Sequence, residues 1–219
     1  MFRPFEEFTP AARCVSVIGS GGKTTLLRHL SERLGGTVIL TTSTHIYPFP
    51  GVPLAASGSL DEIRSVLAQH RVVCVGRREP SRKLAAPEMP FEELLSVADR
   101  VLIEADGSAG RPLKAHRPWE PVIPACTGLT VCVVGASGLG KPVSEVCHCP
   151  ERFAELAGTT PDAPVTIEHV ARVLNRENLA DCCLINQIDT LPDPAVARRL
   201  CDLITVDAFA GSLVTVQSG

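Results

Sequence analysis

The sequence predicts an α/β fold: a mainly parallel, doubly wound sheet flanked by helices. Three observations predict it. Short apolar runs alternate with helical patterns along the chain, the order that builds a parallel sheet. Those runs are continuous in apolar residues instead of alternating, as strands buried on both faces require. The core is large, because 45% of the 219 residues are hydrophobic and 21% charged, which excludes a disordered chain. At roughly 150 residues per domain, the length fits one domain over residues 1–219.

Residues 13–18 (RCVSVI) read as a first buried strand. Leu26, Leu27, Leu30 and Leu34 follow at helical spacing, and Gly35 and Gly36 stop that helix. Residues 37–42 (TVILTT) form a second strand, and a proline- and glycine-rich loop runs from Tyr47 to Gly58. Ser59 and Glu62 make a capping-box pattern, with Leu60, Ile63 and Leu67 as the apolar stripe behind it. Residues 71–76 are a third strand. Pro90 suits a first helical position, and Phe91, Leu94 and Leu95 share one face. Strands over 100–105 and 129–135 come next. Helices are expected over 150–157, closed by Gly158, and over 166–175, with Ile167, Val170, Ala171 and Leu174 inward. Residues 181–186 are a sixth strand. Asp193 caps a further helix with Pro194 at its first position, and short segments near 203–206 and 213–216 read as late strands.

Basic residues number 21 against 24 acidic, a net charge of −3, so the chain lacks the basic excess of a nucleic-acid binder. No apolar run approaches the roughly 18 residues of a membrane span. The opening stretch MFRPFEEFTPAARC lacks a signal-peptide layout. A cytoplasmic protein is expected, with neither nucleic acid nor membrane as partner. Most of the 9 cysteines sit in strand-like stretches, where a free thiol packs as a small hydrophobe. Cys147 and Cys149 flank His148, but zinc wants four spaced ligands and no companion pair is evident, so no zinc is expected.

The strongest functional signal is VSVIGSGGKTTLLRHL, in which a buried strand turns through Gly19, Ser20, Gly21, Gly22, Lys23, Thr24 and Thr25 directly into a helix. Glycines let the backbone wrap a phosphate with its amides inward, and the helix N-terminus adds positive charge. Lys23 would reach the β/γ phosphates and the Thr24 hydroxyl would ligate magnesium. ATP or GTP with Mg2+ is therefore the expected ligand. The first glycine lies closer to Gly22 than in the long G-x-x-x-x-G-K-[ST] form, and this shorter loop resembles that of the Mur ligases. Gly135 to Lys141 fits the long spacing literally, but Pro142 follows. Proline offers no hydroxyl for magnesium and no N–H for phosphate, so this segment reads as a decoy.

The fourth strand ends in Glu104 and Asp106. On an extended strand residues i and i+2 face one way, so both carboxylates are expected in one site at the sheet's C-terminal edge. Asp106, further along, is assigned with Thr24 to magnesium, directly or through water. Glu104, expected deeper, or His45 would position the nucleophile. The hydroxyls of Thr41, Thr42, Ser43 and Thr44 precede His45 and read as site groups or as turn residues. Arg111, Lys114, His116 and Arg117 form a basic cluster that reads as a site for an anionic substrate or for transferring phosphate, or as a solvated loop. Asn186 and Asp189 resemble the N-K-x-D guanine motif with Gln187 at the lysine position. One carboxylate there would accept both guanine donors.

Together these motifs resemble the YqeC family. The matching segments are IGSGGKTT at 18–25, TTSTHI at 41–46, VLIEADGSAGRPLKAHRPWEPVIP at 101–124, GLGKP at 138–142, HCPERFAEL at 148–156 and LINQID at 184–189. Cys149 stands where arginine is expected and Gln187 where lysine is. The resemblance implies a P-loop accessory protein for a selenium-dependent molybdenum hydroxylase, with that enzyme or its cofactor-maturation proteins as partners. The leading expectation is thus a nucleotide hydrolase or phosphotransferase. A Mur-like ligase or kinase acting on a small acid, and a non-enzymatic nucleotide-regulated scaffold, are the alternatives.

Overall fold

The computed structural model describes residues 2–213. They form a nine-stranded sheet in which every neighbouring pair is parallel. From edge to edge the strands are Phe2–Pro4, Asp207–Ala210, Cys182–Asn186, Leu129–Gly135, Cys14–Gly19, Arg100–Glu104, Val38–Thr42, Val72–Val75 and Leu54–Ala55. The strand before the glycine loop is central, and its own neighbours end in Glu104 and Gly135.

Strand residues alternate between two faces, and so do the cores. Val15 and Val17 pack with Leu26, Leu27 and Leu30 of the helix Lys23–Arg33 and with Phe5 and Phe8. Cys14 and Ile18 face the other side. One half of that side is covered by the helices Leu60–Leu67 and Phe91–Leu94, the other by Pro150–Ala157, Ile167–Glu177 and Ala195–Leu203. Cys182 lies in one core and Cys183 in the opposite one. The helix Pro150–Ala157 keeps its expected bounds because Pro150 starts it and Gly158 closes it at φ 69°.

Three details differ from expectation, and a fourth expected element lies outside the described residues. Ser59 accepts the amide of Glu62, but the Glu62 carboxylate turns to Ser57, so the capping box is half made. Pro90 and Pro194 sit one position earlier, as N-caps. The helix Ala195–Leu203 occupies the start of the expected strand near 203–206, and pairing begins only at Asp207. The strand expected near 213–216 lies outside the described residues beyond Leu213, which is itself not in a strand.

Two small additions stand on the sheet's C-terminal edge. The segments His45–Ile46, Leu84–Ala85 and Arg77–Arg78 make an antiparallel flap, rooted by buried Ile46 and Leu84. Leu113–Lys114 pairs in parallel with Cys147–His148. No helix among the described residues is long and apolar enough to cross a membrane.

Candidate functional site

The glycine loop closes because its residues carry no side chain. Gly21 has φ 85°, and a Cβ there would lie 2.4 Å from the backbone of Gly135. Gly22 has φ 132°, and a Cβ there would lie 2.3 Å from Asn186 Nδ2. No side chain caps the helix that begins at Lys23. Backbone bonding resumes at Leu26, whose N–H donates to Gly22 O at 2.9 Å. The run of N–H groups from Gly21 to Thr25 therefore has no acceptor among the described residues, the usual state of an uncapped helix start.

This run opens on a cleft of about 700 Å3, whose lining includes Lys23, Thr24, Glu104, Arg111, Ser137, Gln187, His45, Tyr47 and Lys83. Thr24 Oγ1 donates to Glu104 Oε2 at 3.0 Å. Burial pushes the Glu104 carboxyl above its ordinary value, while the charge of Lys23 and the Thr24 bond work against that rise.

Asp106 behaves differently, and here the structure departs from the expected placement of both carboxylates in one open site. The strand ends at Glu104, and the chain then folds back beneath the glycine loop. Asp106 is 0% exposed and does not line the cleft. Its Oδ2 accepts the Gly19 N–H at 2.9 Å and meets His116 Nε2 at 2.8 Å and Lys114 Nζ at 3.1 Å. Its Oδ1 lies 3.0 Å from Lys23 Nζ, which also donates to Gly19 O at 2.7 Å. Asp106 Oδ1 accepts no hydrogen bond among the described residues, but the residue does not open on the cleft. Glu104, beside the Thr24 hydroxyl, faces it and could hold a metal ion there.

The basic cluster splits in the same way. Lys114 is buried, donating to Gly107 O at 2.6 Å, with its Nζ 2.7 Å from Glu120 Oε2 in an ion pair. The His116 ring bridges Asp106 and Glu177, with Nδ1 2.8 Å from Glu177 Oε2. Both residues belong to an internal network in which Lys23, Lys114 and His116 face Asp106, Glu120 and Glu177. Burial alone would lower the His116 pKa and raise that of Asp106. The hydrogen bonds to Asp106 and Glu177 instead push His116 up to about 9, so both ring nitrogens donate at neutral pH. The His116 bond and the charges of Lys23 and Lys114 hold Asp106 down to about 2. Of the four predicted substrate cations only Arg111 lines the cleft. Arg117 is exposed and lies over the Trp119 ring.

The remaining residues fall on both sides of the expectations. His45 lines the cleft from the flap, with Nε2 3.4 Å from Glu79 Oε2. Thr42 and Ser43 spend their hydroxyls on the carbonyls of Glu104 and Val122 at 2.8 and 2.5 Å, as turn residues do. Asn186 braces the glycine loop, donating to Gly21 O at 2.8 Å. Asp189 is exposed and paired with Ser212, whereas its neighbour Gln187 lines the cleft and accepts from Ser137 at 2.6 Å. Cys147 is buried and Cys149 partly so, both as free thiols. Among the described residues no group of three or more His, Cys, Asp or Glu is placed to hold a metal ion.

The family model described as YqeC protein matches residues 15–151. A curated relative, "Uncharacterized protein YqeC" of Escherichia coli (strain K12), is 33% identical over 170 residues, covering 73% of this chain and 66% of the relative. No solved structure matches. The model's span holds the glycine loop, Glu104, Asp106, Lys114 and His116, and stops short of Glu177 and Asn186. With most of its length matched, the chain belongs to the YqeC family.

Proposed function

We propose that this protein is a magnesium-dependent P-loop nucleotide-binding protein, an NTPase or phosphotransferase. The observation that carries the reading is the unpaired run of N–H groups from Gly21 to Thr25 at a helix start, opening on the cleft. Such a run is built for phosphate oxygens. Thr24 and Glu104 would hold magnesium, a cation that keeps several waters and takes few protein carboxylates. The ion supplies neutralisation of phosphate charge. Asp106 fixes Lys23 and the loop amide of Gly19 from below. His45, oriented by Glu79, is the ring at the open end that would orient a nucleophile. Nothing in the placement of Asp189 favours guanine over adenine. A role in maturing the selenium- or molybdenum-containing cofactor of a molybdenum hydroxylase rests on the family resemblance. It is tested by co-purification with such an enzyme and by that enzyme's activity in cells lacking this protein.

Thermal melts with Mg-ATP and Mg-GTP test the central reading. Either nucleotide at about 100 times its dissociation constant should add ~2.7 kcal/mol of stability, and chelation of magnesium should remove most of it. A folded sample unmoved by millimolar amounts of both would overturn the reading. Release of phosphate without an added acceptor marks a hydrolase; release only with one marks a phosphotransferase or ligase.

A further inference from the structure

The cleft does not stop at the glycine loop. It continues past Thr24 and Glu104 to the flap, where His45, Ile46, Tyr47 and Lys83 line it. Most cations around the site are already matched: Lys23 and Lys114 are held by Asp106 and Glu120, and Arg77 of the flap pairs with Glu88. Glu79, the flap's other carboxylate, faces His45. Lys83 is left with no carboxylate within ion-pair distance among the described residues. Its ammonium sits 5.2 Å from the centroid of the exposed Tyr47 ring, which holds it over the cleft without neutralising it. Arg111, across the same cleft, likewise makes no ion pair among the described residues.

We infer that the flap end of the cleft is a second subsite, in which Lys83, positioned by Tyr47, binds the carboxylate or phosphate group of a small anionic molecule. This rests on the nucleotide reading only for what the subsite is next to. Lys83 and Glu104 line the same cleft, so the bound anion would lie on the same side as the nucleotide's phosphate end. A phosphotransferase or ligase needs such a place and a simple hydrolase does not. Matching a half-buried lysine that has no counter-charge to an anion also explains why the flap keeps a cation here.

The test uses the full chain in two forms: one carrying Lys23→Ala, to disable the glycine loop, and one saturated with a non-hydrolysable Mg-nucleotide. Inorganic phosphate and succinate are titrated into each by calorimetry. One-to-one binding is expected in both. Lys83→Met should weaken it at least tenfold, Lys83→Arg should restore it, and Lys141→Met, at an exposed lysine outside the cleft, should leave it unchanged. Lys83 is only half-buried, so a melt superimposable on the parent's establishes that the variant folds. Binding unaffected by Lys83→Met, or no binding of either probe, overturns the subsite. If the nucleotide fails to bind while anion binding still depends on Lys83, the nucleotide reading falls and the subsite stands.

Discussion

The chain turns from a buried strand toward a helix through glycine and lysine twice, at Gly19–Lys23 and at Gly135–Lys141, and the two turns have opposite fates. After the first, an 11-residue helix starts at the lysine itself, and the N–H groups from Gly21 to Thr25 stay unpaired. After the second, Pro142 caps a helix of only 4 residues. Gly140 N–H is spent on Val165 O at 2.9 Å, Lys141 O accepts from Val165 N–H at 2.9 Å, and the lysine side chain is exposed. The first turn is anchored from beneath by a charge, Asp106; the second leans on the first, Gly135 packing against Gly21. What separates the open turn from the closed one is thus less the glycine spacing than the residue after the lysine, and where the amides go.

Four experiments break or sharpen this comparison, the largest expected effect first. Asp106→Asn keeps an acceptor for Gly19 but strips Lys23, Lys114 and His116 of their shared counter-charge. Removing one partner from a buried ionic group costs ~3–5 kcal/mol, read as a fall in denaturation midpoint. Ser137→Ala at the second turn loses one hydrogen bond, about 1 kcal/mol. Equal losses would show that the first turn is not charge-anchored.

The second experiment is a pH series. The folded pKa of His116 lies above the ordinary 6.5, at about 9. Its stabilisation is therefore complete below about 6.5 and is lost as pH rises through about 9, an effect of order 3 kcal/mol. His116→Gln should flatten the alkaline limb of the stability curve. Asp106, depressed to about 2 from 3.8, works at the other end: its contribution is present above 3.8 and is lost as pH falls through 2. A wild-type curve flat between pH 6.5 and 9 would contradict the charged ring.

Third, Lys23→Ala should abolish most of the ~2.7 kcal/mol shift given by Mg-nucleotide at about 100 times its dissociation constant, and Lys141→Ala should abolish none. Equal loss in both would make the second turn a working loop. Last come the glycines. Gly140→Ala, at φ 78° with open space around it, should cost ~1 kcal/mol for backbone strain alone. Gly21→Ala adds a collision with Gly135 and should cost ~2–3 kcal/mol, displacing both turns.

The sheet was legible because buried parallel strands are written as continuous apolar runs. The glycine loop was legible because sequence neighbours make it. What escaped was carried by long-range contacts. Counting two residues along a strand put Asp106 outermost, but the strand stops at Glu104 and the next turn carries Asp106 inward. Nothing in the run from Arg111 to Arg117 says which cations point into the protein; the pairing of Leu113–Lys114 with Cys147–His148 decides it. Glu177 was invisible because it meets His116 across 61 residues of sequence, from the end of an otherwise ordinary amphipathic helix. Lys83 lies between two-residue strands too short to leave a periodic signal.

The strand Phe2–Pro4 pairs with Asp207–Ala210, which lies between it and Cys182–Asn186. While the chain is being synthesised, Phe2–Pro4 therefore has no neighbour in the sheet until residues 207–210 have emerged. Until then the apolar edge Cys182–Asn186 is open to other nascent chains, the kind of exposed strand that nucleates association. Residues 207–210 act as a keystone, inserted after both of the strands that flank them. A chain clipped just before Asp207 would keep every residue that lines the cleft at the glycine loop and still be expected to precipitate.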